Sequence, residues 1–219
     1  MSLALFDLDN TLLGGDSDYL WGRFLVERGL VEEAGFEATN QKFYRDYAQG
    51  VLDMDAYLKF QLEFLTRHSR ADLERWHTEY MERLIRPIIL PLGLARIQRH
   101  QQAGDTVVII TATNQFVTAP IAAALGVEHL LATELEIRDG FFTGRPEGIP
   151  CFQQGKVLRI REWLTEYPHP QALATAWFYS DSRNDLPLLE AVAHPVAVDP
   201  DPVLRAHAQA RGWEIVSFR

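Results

Sequence analysis

Leu3-Ala4-Leu5-Phe6 is an uninterrupted apolar run that stops at Asp7, and Asn10-Thr11-Leu12-Leu13-Gly14-Gly15 then closes with turn chemistry. A run of that length bounded by turn residues predicts a buried strand followed by a loop. Beyond it the apolar spacing changes. Tyr19, Leu20, Phe24 and Leu25 recur at helical intervals, with Asp16 or Ser17 available as the cap and Gly29 as the stop. Helical spacing continues to Arg86 through Phe36, Phe43, Tyr44 and Tyr47, then Tyr57, Phe60, Phe64 and Leu65, then Leu73, Trp76, Tyr80 and Leu84, with no strand signal.

Pro87 and Pro91 mark a boundary. Past them the pattern predicts a helix over 94–102, a β-branched strand over 106–110, a helix over 116–125 and a strand near 130–137. Asp139-Gly140 turns that strand into a second hairpin arm at 141–144. Further elements are expected at 153–163 (helix), 174–179 (strand), 185–192 (helix), 195–198 (strand), 202–210 (helix) and 213–216 (strand). Alternating strands and helices imply an α/β fold, a Rossmann-like three-layer core with a mostly parallel sheet. The all-helical stretch breaks that rhythm and is read as a small cap inserted after the first strand. Residues 1–13 and 87–219 then form the core domain, and 14–86 the cap. In open sheets of this kind the site lies beyond the carboxyl ends of the strands.

Composition narrows the setting. The chain has 219 residues, 47% of them hydrophobic, which is enough to build a sizeable core and excludes a disordered chain. Its single cysteine, Cys151, cannot form an internal disulfide, so a reducing, cytoplasmic setting is expected. No segment has the length of a bilayer span and no signal peptide is visible, so no membrane association is expected. A net charge of −9 opposes nucleic-acid phosphates, so no nucleic-acid partner is expected, although a local cation can still admit a small anion. Charge does not set the oligomeric state, monomer or homodimer.

Four Asp-x-Asp pairs occur: Asp7/Asp9, Asp16/Asp18, Asp53/Asp55 and Asp199/Asp201. The last three read as solvated helix starts or loops. Asp7/Asp9 alone directly follows an apolar strand, with the Thr11 hydroxyl two residues on. Residues two apart on an extended chain face the same side, and two carboxylates held together require a proton or a cation. A capping pair at a strand-to-loop turn is the alternative. Thr111 follows the 106–110 run, Asp181 and Asp185 follow Trp177-Phe178-Tyr179-Ser180, and Lys156 opens a helix. Each has a commonplace reading of its own: a helix cap for Thr111, a solvated charge for Lys156, a cap and first-turn acid for Asp181 and Asp185. Acids, a hydroxyl and an ammonium at three strand ends are hard to explain by capping alone. The seven histidines, His68, His77, His100, His129, His169, His194 and His207, show no metal-ligand spacing and receive no role.

In order, Phe6-Asp7-Leu8-Asp9-Asn10-Thr11-Leu12, Ile110-Thr111-Ala112-Thr113-Asn114, Gly155-Lys156 and Ser180-Asp181-Ser182-Arg183-Asn184-Asp185-Leu186 resemble the four motifs of the haloacid dehalogenase-like (HAD) hydrolases. The helical insertion and the segment from Ala132 to Gly144 resemble the phosphoserine phosphatase-like branch, subfamily IB, to which some histidinol-phosphate phosphatases belong. The resemblance implies a phosphomonoester phosphatase with Asp7 as nucleophile, through an aspartyl phosphate, and Asp9 as acid and base. It implies Mg²⁺ held by the Asp7 carboxylate, the Asp9 backbone carbonyl and Asp181, with Asp185 supporting its waters. Thr111, Ala112, Lys156 and Asn184 would bind the phosphate.

A glutamate nine residues past the nucleophile receives the substrate ammonium in phosphoserine phosphatases, and Asp16 stands there in this chain. This favours an amine-bearing phosphate ester, although Asp16 also reads as an N-cap. That family is glycine-rich after the second-motif hydroxyl, whereas this chain has Ala112-Thr113-Asn114, and no inward cation for a carboxylate is identifiable among Arg23, Lys42 and Arg45. Tyr19, Trp21, Phe43, Tyr44, Tyr47, Tyr57 and Trp76 read chiefly as core, with one or two free to line a pocket for a flat group such as imidazole. Histidinol phosphate fits both hints and is placed first among small-molecule phosphate esters. Phosphoserine or a broad set of metabolites is the second reading. A phospho-acceptor signalling module or a dehalogenase remains outside that class, and Asp9 argues against both.

Overall fold

The computed structural model describes residues 2–167 and 173–219; His169 lies outside them. Strand β1, Leu3–Phe6, is wholly buried and pairs in parallel with β2 (Thr106–Asn114) on one side and β5 (Trp177–Ser180) on the other. The sheet continues outward through β3 (His129–Arg138) and its antiparallel hairpin partner β4 (Phe141–Glu147) at one edge. At the other edge lie β6 (His194–Val198) and β7 (Glu214–Val216), giving the order β4-β3-β2-β1-β5-β6-β7. All pairings but β3–β4 are parallel, the α/β Rossmann-like arrangement expected from the sequence.

Side chains of β1 alternate between two apolar layers, with Ala4 and Phe6 on one face and Leu3 and Leu5 on the other. Helices α5 (Pro91–Gln102) and α6 (Gln115–Ala124) cover the first face through Ile97, Val117 and Ile121. The second face carries α7 (Gln154–Glu166), the short α8 (Leu186–Leu189) and α9 (Pro202–Arg211) through Val157, Ile160, Leu188 and Leu204. Between β1 and α5 run four helices, α1 (Ser17–Glu27), α2 (Glu33–Gln49), α3 (Met54–Thr66) and α4 (Arg70–Tyr80), as the spacing predicts. Their apolar residues Trp21, Phe24, Leu58, Leu62 and Tyr80 join the same cluster as Phe6 and Ile109. The helical layer is therefore welded to the first face by continuous packing.

Several elements differ from their expected bounds, β2, β5 and α8 among them. Strand β2 runs to Asn114, because its pairing with β3 resumes at Asn114↔Thr133 after a register shift beyond Ile110. The strand expected from Ala174 begins at Trp177, since Leu173–Thr175 form a single 3-10 turn. The helix expected over 185–192 shrinks to Leu186–Leu189, preceded by a 3-10 turn at Arg183–Asp185. That turn brings Asp185 back under the sheet edge.

Candidate active site

β1 ends one residue before Asp7, whose backbone N–H donates to Tyr179 O on β5 at 2.9 Å. This fixes Asp7 at the central carboxyl edge of the sheet, with Asp181 following β5 beside it. The Thr11 hydroxyl stands between the two acids, 3.4 Å from Asp7 Oδ2 and 3.1 Å from Asp181 Oδ1, and it accepts the Asp181 N–H at 3.0 Å. Lys156 reaches in from α7, its Nζ 2.7 Å from Asp7 Oδ1 and 2.8 Å from Asp185 Oδ2, while Ser180 Oγ donates to the same Asp185 oxygen at 2.7 Å.

The surface-charge reading of Lys156 fails: its side chain is 1% exposed. Gly155 makes that placement feasible, because a Cβ there would lie 2.1 Å from Pro150 O, so only glycine lets the first turn of α7 tuck under the preceding loop. Burial works against the Lys156 charge, but Asp185 and Asp7 raise its pKa above the usual lysine range. Asp7 is pushed up to about 7 chiefly by burial, with Lys156 opposing and Asp185 and Asp9 adding to the rise. Asp181 is held well above the carboxylate range by burial and by its neighbours Asp7 and Asp185.

Asp9 turns away from this cluster. Its Oδ1 accepts the Ser17 N–H at 2.6 Å and its Oδ2 the Thr113 hydroxyl at 2.8 Å. Burial and the Asp16 charge lift it to about 7, against the lowering effect of those donors. Tyr80 OH in turn donates to Ser17 O at 2.6 Å, which holds the start of α1 in place.

A register shift in β2 spans Thr111, Ala112 and Thr113, and these residues line the site, as bulges beside sites commonly do. Thr111 does not cap a helix; Asn114 does, with its Oδ1 accepting Val117 N–H at 3.1 Å. Thr111 Oγ1 instead accepts the Thr113 N–H at 3.3 Å, leaving its own proton free to donate. Ala112 lines the same pocket, and its carbonyl accepts from Thr133 at 2.8 Å. Asn184 is drawn elsewhere: its amide donates to Tyr47 O on α2 at 2.9 Å and accepts from Gln153 at 3.2 Å, clasping the helical layer to the sheet edge.

A pocket opens between this edge and the helical layer, walled by Asp7, Asp9, Asp16, Thr111, Ala112 and Thr113 below and by α1–α3 above. Asp16 both lines it and caps α1, accepting Tyr19 N–H at 2.7 Å, so the two readings of this residue coexist. Burial drives its carboxyl up to about 7 despite that bond, and Asp18 adds to the rise. Reading Asp16/Asp18 as a solvated helix start is wrong for Asp18, which is 2% exposed and takes hydrogen bonds from Tyr57 OH and, at 3.3 Å, Asn114 Nδ2. Tyr19, Phe43, Tyr44, Tyr47 and Tyr57 line the pocket, more aromatics than the sequence suggested, whereas Trp21 is core. Asn40 and Gln61 complete the wall; neither carries a sequence signal that separates it from helix-surface amides. Thr113 does carry one, since it shares the Thr111 face at period two.

Among the described residues no three His, Cys, Asp or Glu side chains converge as an all-side-chain metal cage. Buried Asp7 and Asp185 with half-buried Asp181 nevertheless set three acids against one ammonium, a hard-oxygen group that fits a divalent cation such as Mg²⁺.

With this geometry in view, the match to the haloacid dehalogenase-like hydrolases over residues 4–190 is decisive, and the chain belongs to that family. The chain is 44% identical to a histidinol-phosphatase of Neisseria meningitidis, spanning 100% of this chain and 99% of that one. Phosphoserine phosphatase SerB1 of Mycobacterium tuberculosis is 37% identical over 99% of this chain and 70% of its own length. Among solved structures, a Bordetella pertussis protein of unknown function superposes with a TM-score of 0.93 at 46% identity, covering 100% of this chain and 99% of that one. A substrate-bound phosphoserine phosphatase shares the fold at a TM-score of 0.72 and 18% identity, covering 100% and 93%. The enzyme class is that of a phosphatase. Among the described residues no helix is long and apolar enough to cross a membrane.

Proposed function

We propose that the chain is a Mg²⁺-dependent phosphomonoesterase for a small cationic phosphate ester, with histidinol phosphate as its substrate, residues 14–86 as the cap and 1–13 with 87–219 as the core. The observation that carries the substrate class is the charge of the pocket: Asp7, Asp9 and Asp16 line it, and among the described residues no Lys or Arg does. A carboxylate-bearing ester such as phosphoserine needs a cation there. Arg23 is exposed and paired with Glu27 at 3.1 Å, Lys42 pairs with Asp46 and Arg45 is exposed. An ammonium or imidazolium meets acids and π-faces instead.

Asp7 attacks phosphorus in line, and the bond to the leaving oxygen breaks as Asp9 passes its proton to that oxygen. Water, deprotonated by the same Asp9, then attacks phosphorus of the phosphorylated Asp7. This releases inorganic phosphate and restores both acids. A pKa of about 7 lets Asp9 serve in both directions at neutral pH. Lys156 orients Asp7, and together with the Thr111 hydroxyl it neutralises the phosphoryl oxygens as charge moves. Asp7, Asp181 and the Asp9 carbonyl are the groups that would hold Mg²⁺, which when bound offsets the repulsion between an anionic nucleophile and an anionic substrate. Asp185 fixes the Lys156 head. The test is Asp7→Asn: we expect no turnover of histidinol phosphate with Mg²⁺ while the melting curve stays that of a folded protein. Retained turnover removes Asp7 as nucleophile.

A further inference from the structure

We infer that Gln61 recognises the leaving group, offering its Oε1 to an N–H donor on a flat, nitrogen-bearing ring; this deepens the reading above and rests on the pocket receiving the leaving group. The polarity of two buried amides leads to it. Asn40 on α2 and Gln61 on α3 both line the pocket and are 2% and 5% exposed. Asn40 Nδ2 donates to the Tyr19 carbonyl at 3.1 Å. A backbone carbonyl only accepts, so the amino end of Asn40 must face Tyr19 and its Oδ1 must face the other way. Gln61 meets that oxygen with Nε2 at 3.3 Å. The chain Tyr19 to Asn40 to Gln61 thereby fixes the orientation of both amides, and Oε1 is the acceptor left over at its end.

Among the described residues nothing donates to Gln61 Oε1. Two phenols of the pocket wall are committed elsewhere: Tyr57 OH to the Asp18 carboxylate, and Tyr19 OH to Glu37 at 3.0 Å. Gln61 Oε1 is not among the sealed, unpartnered polar atoms of the described residues, so it keeps open space beside it in the pocket Gln61 lines, where a ligand N–H can reach it. Phe43 and Tyr57, ring centroids 5.6 Å apart and inclined at 72°, stand on the same wall, and their π-faces suit an unsaturated heterocycle better than an alkyl chain. The amide pair is held by close helix packing. A Cβ on Gly22 of α1 would stand 2.5 Å from Asn40 Nδ2 and 3.1 Å from Phe36, so glycine there lets α1 and α2 approach closely enough to fix Asn40.

The experiment compares histidinol phosphate, which has a ring N–H, with phosphoethanolamine, which has the amine but no ring. Both are run with Mg²⁺ on the wild type, Gln61→Met and Gln61→Glu, with melting curves for all three. Met keeps length and removes the acceptor, whereas Glu keeps an acceptor. We expect Gln61→Met to lower kcat/KM for histidinol phosphate at least about tenfold more than for phosphoethanolamine, and Gln61→Glu to keep the ring preference. Equal losses on both esters in a folded Gln61→Met protein, or a Gln61→Glu variant that loses the preference as fully as Met does, overturn the role of Gln61 alone. A wild type that does not favour the ring-bearing ester overturns the substrate reading, and Gln61 with it. The two failures are therefore distinguishable.

Discussion

Lys156 Nζ lies 2.7 Å from Asp7 Oδ1 across 149 residues of sequence, both groups almost wholly buried. The pair joins the first strand to α7 and presents one charge-neutralised carboxylate at the pocket floor. Its second contact, to Asp185, makes the ammonium a bridge between two acids that would otherwise repel.

Removing that bridge should damage fold and chemistry together. Lys156→Met leaves two buried carboxylates uncompensated, and a loss of about 3–5 kcal/mol is expected in denaturant unfolding, with kcat down by about 10²–10³. A variant that melts like the wild type and turns over normally contradicts the arrangement.

Asp9 is assigned to proton transfer, so its removal should hurt esters in proportion to how badly their leaving group needs a proton. Asp9→Asn should cost alkyl phosphates about 10²–10⁴ in kcat and p-nitrophenyl phosphate distinctly less. Thr113→Val, which frees Asp9 Oδ2, should show the same asymmetry in milder form. Equal losses across leaving groups speak against the assignment.

Asp16 lines the pocket with a charge that suits an ammonium. Asp16→Asn should narrow the kcat/KM advantage of amine-bearing esters over glycerol phosphate by roughly tenfold, about 1.4 kcal/mol of differential binding. An unchanged ratio makes Asp16 a helix cap and nothing more.

Buried Asp18 gives the protein a pH dependence of stability. Burial lifts its carboxyl from 3.8 to about 7, against the Tyr57 hydrogen bond and with Asp9 adding to the rise. The folded state therefore binds this proton more tightly than the unfolded chain. Its contribution is fully present below about pH 4 and is lost as pH rises through 7. In metal-free protein the denaturation midpoint should fall between pH 5 and pH 8, and Asp18→Asn, which keeps the shape, should flatten part of that fall. Equal slopes in the two proteins contradict the shift.

Sequence order alone exposed the sheet and the strand-end polar residues, because period-two runs and turn residues are local signals. Asp7, Thr111 and Asp181 stood out as candidates because each directly follows a strand-like run, but taken singly Thr111 reads as a helix cap and Lys156 as a solvated charge, and only the order of the four motifs sets them together. Asp18 escaped because an acid in the first turn of a helix is ordinarily a solvated partner of the helix dipole, and only the packing of α3 against α1 buries it under Tyr57. Asn40 and Gln61 escaped because a helical amide reads the same whether it faces water or a pocket. Asn184 stood among the phosphate-binding expectations through its motif, yet its amide spans to Tyr47 on α2, a tertiary contact that no spacing rule encodes.

The most direct measurement is kcat/KM for histidinol phosphate against phosphoserine, with Mg²⁺ and after chelation. A preference of at least about tenfold for histidinol phosphate, abolished by chelation and restored by Mg²⁺, is the predicted result. Phosphoserine turned over equally well or better, or hydrolysis that survives chelation, contradicts it.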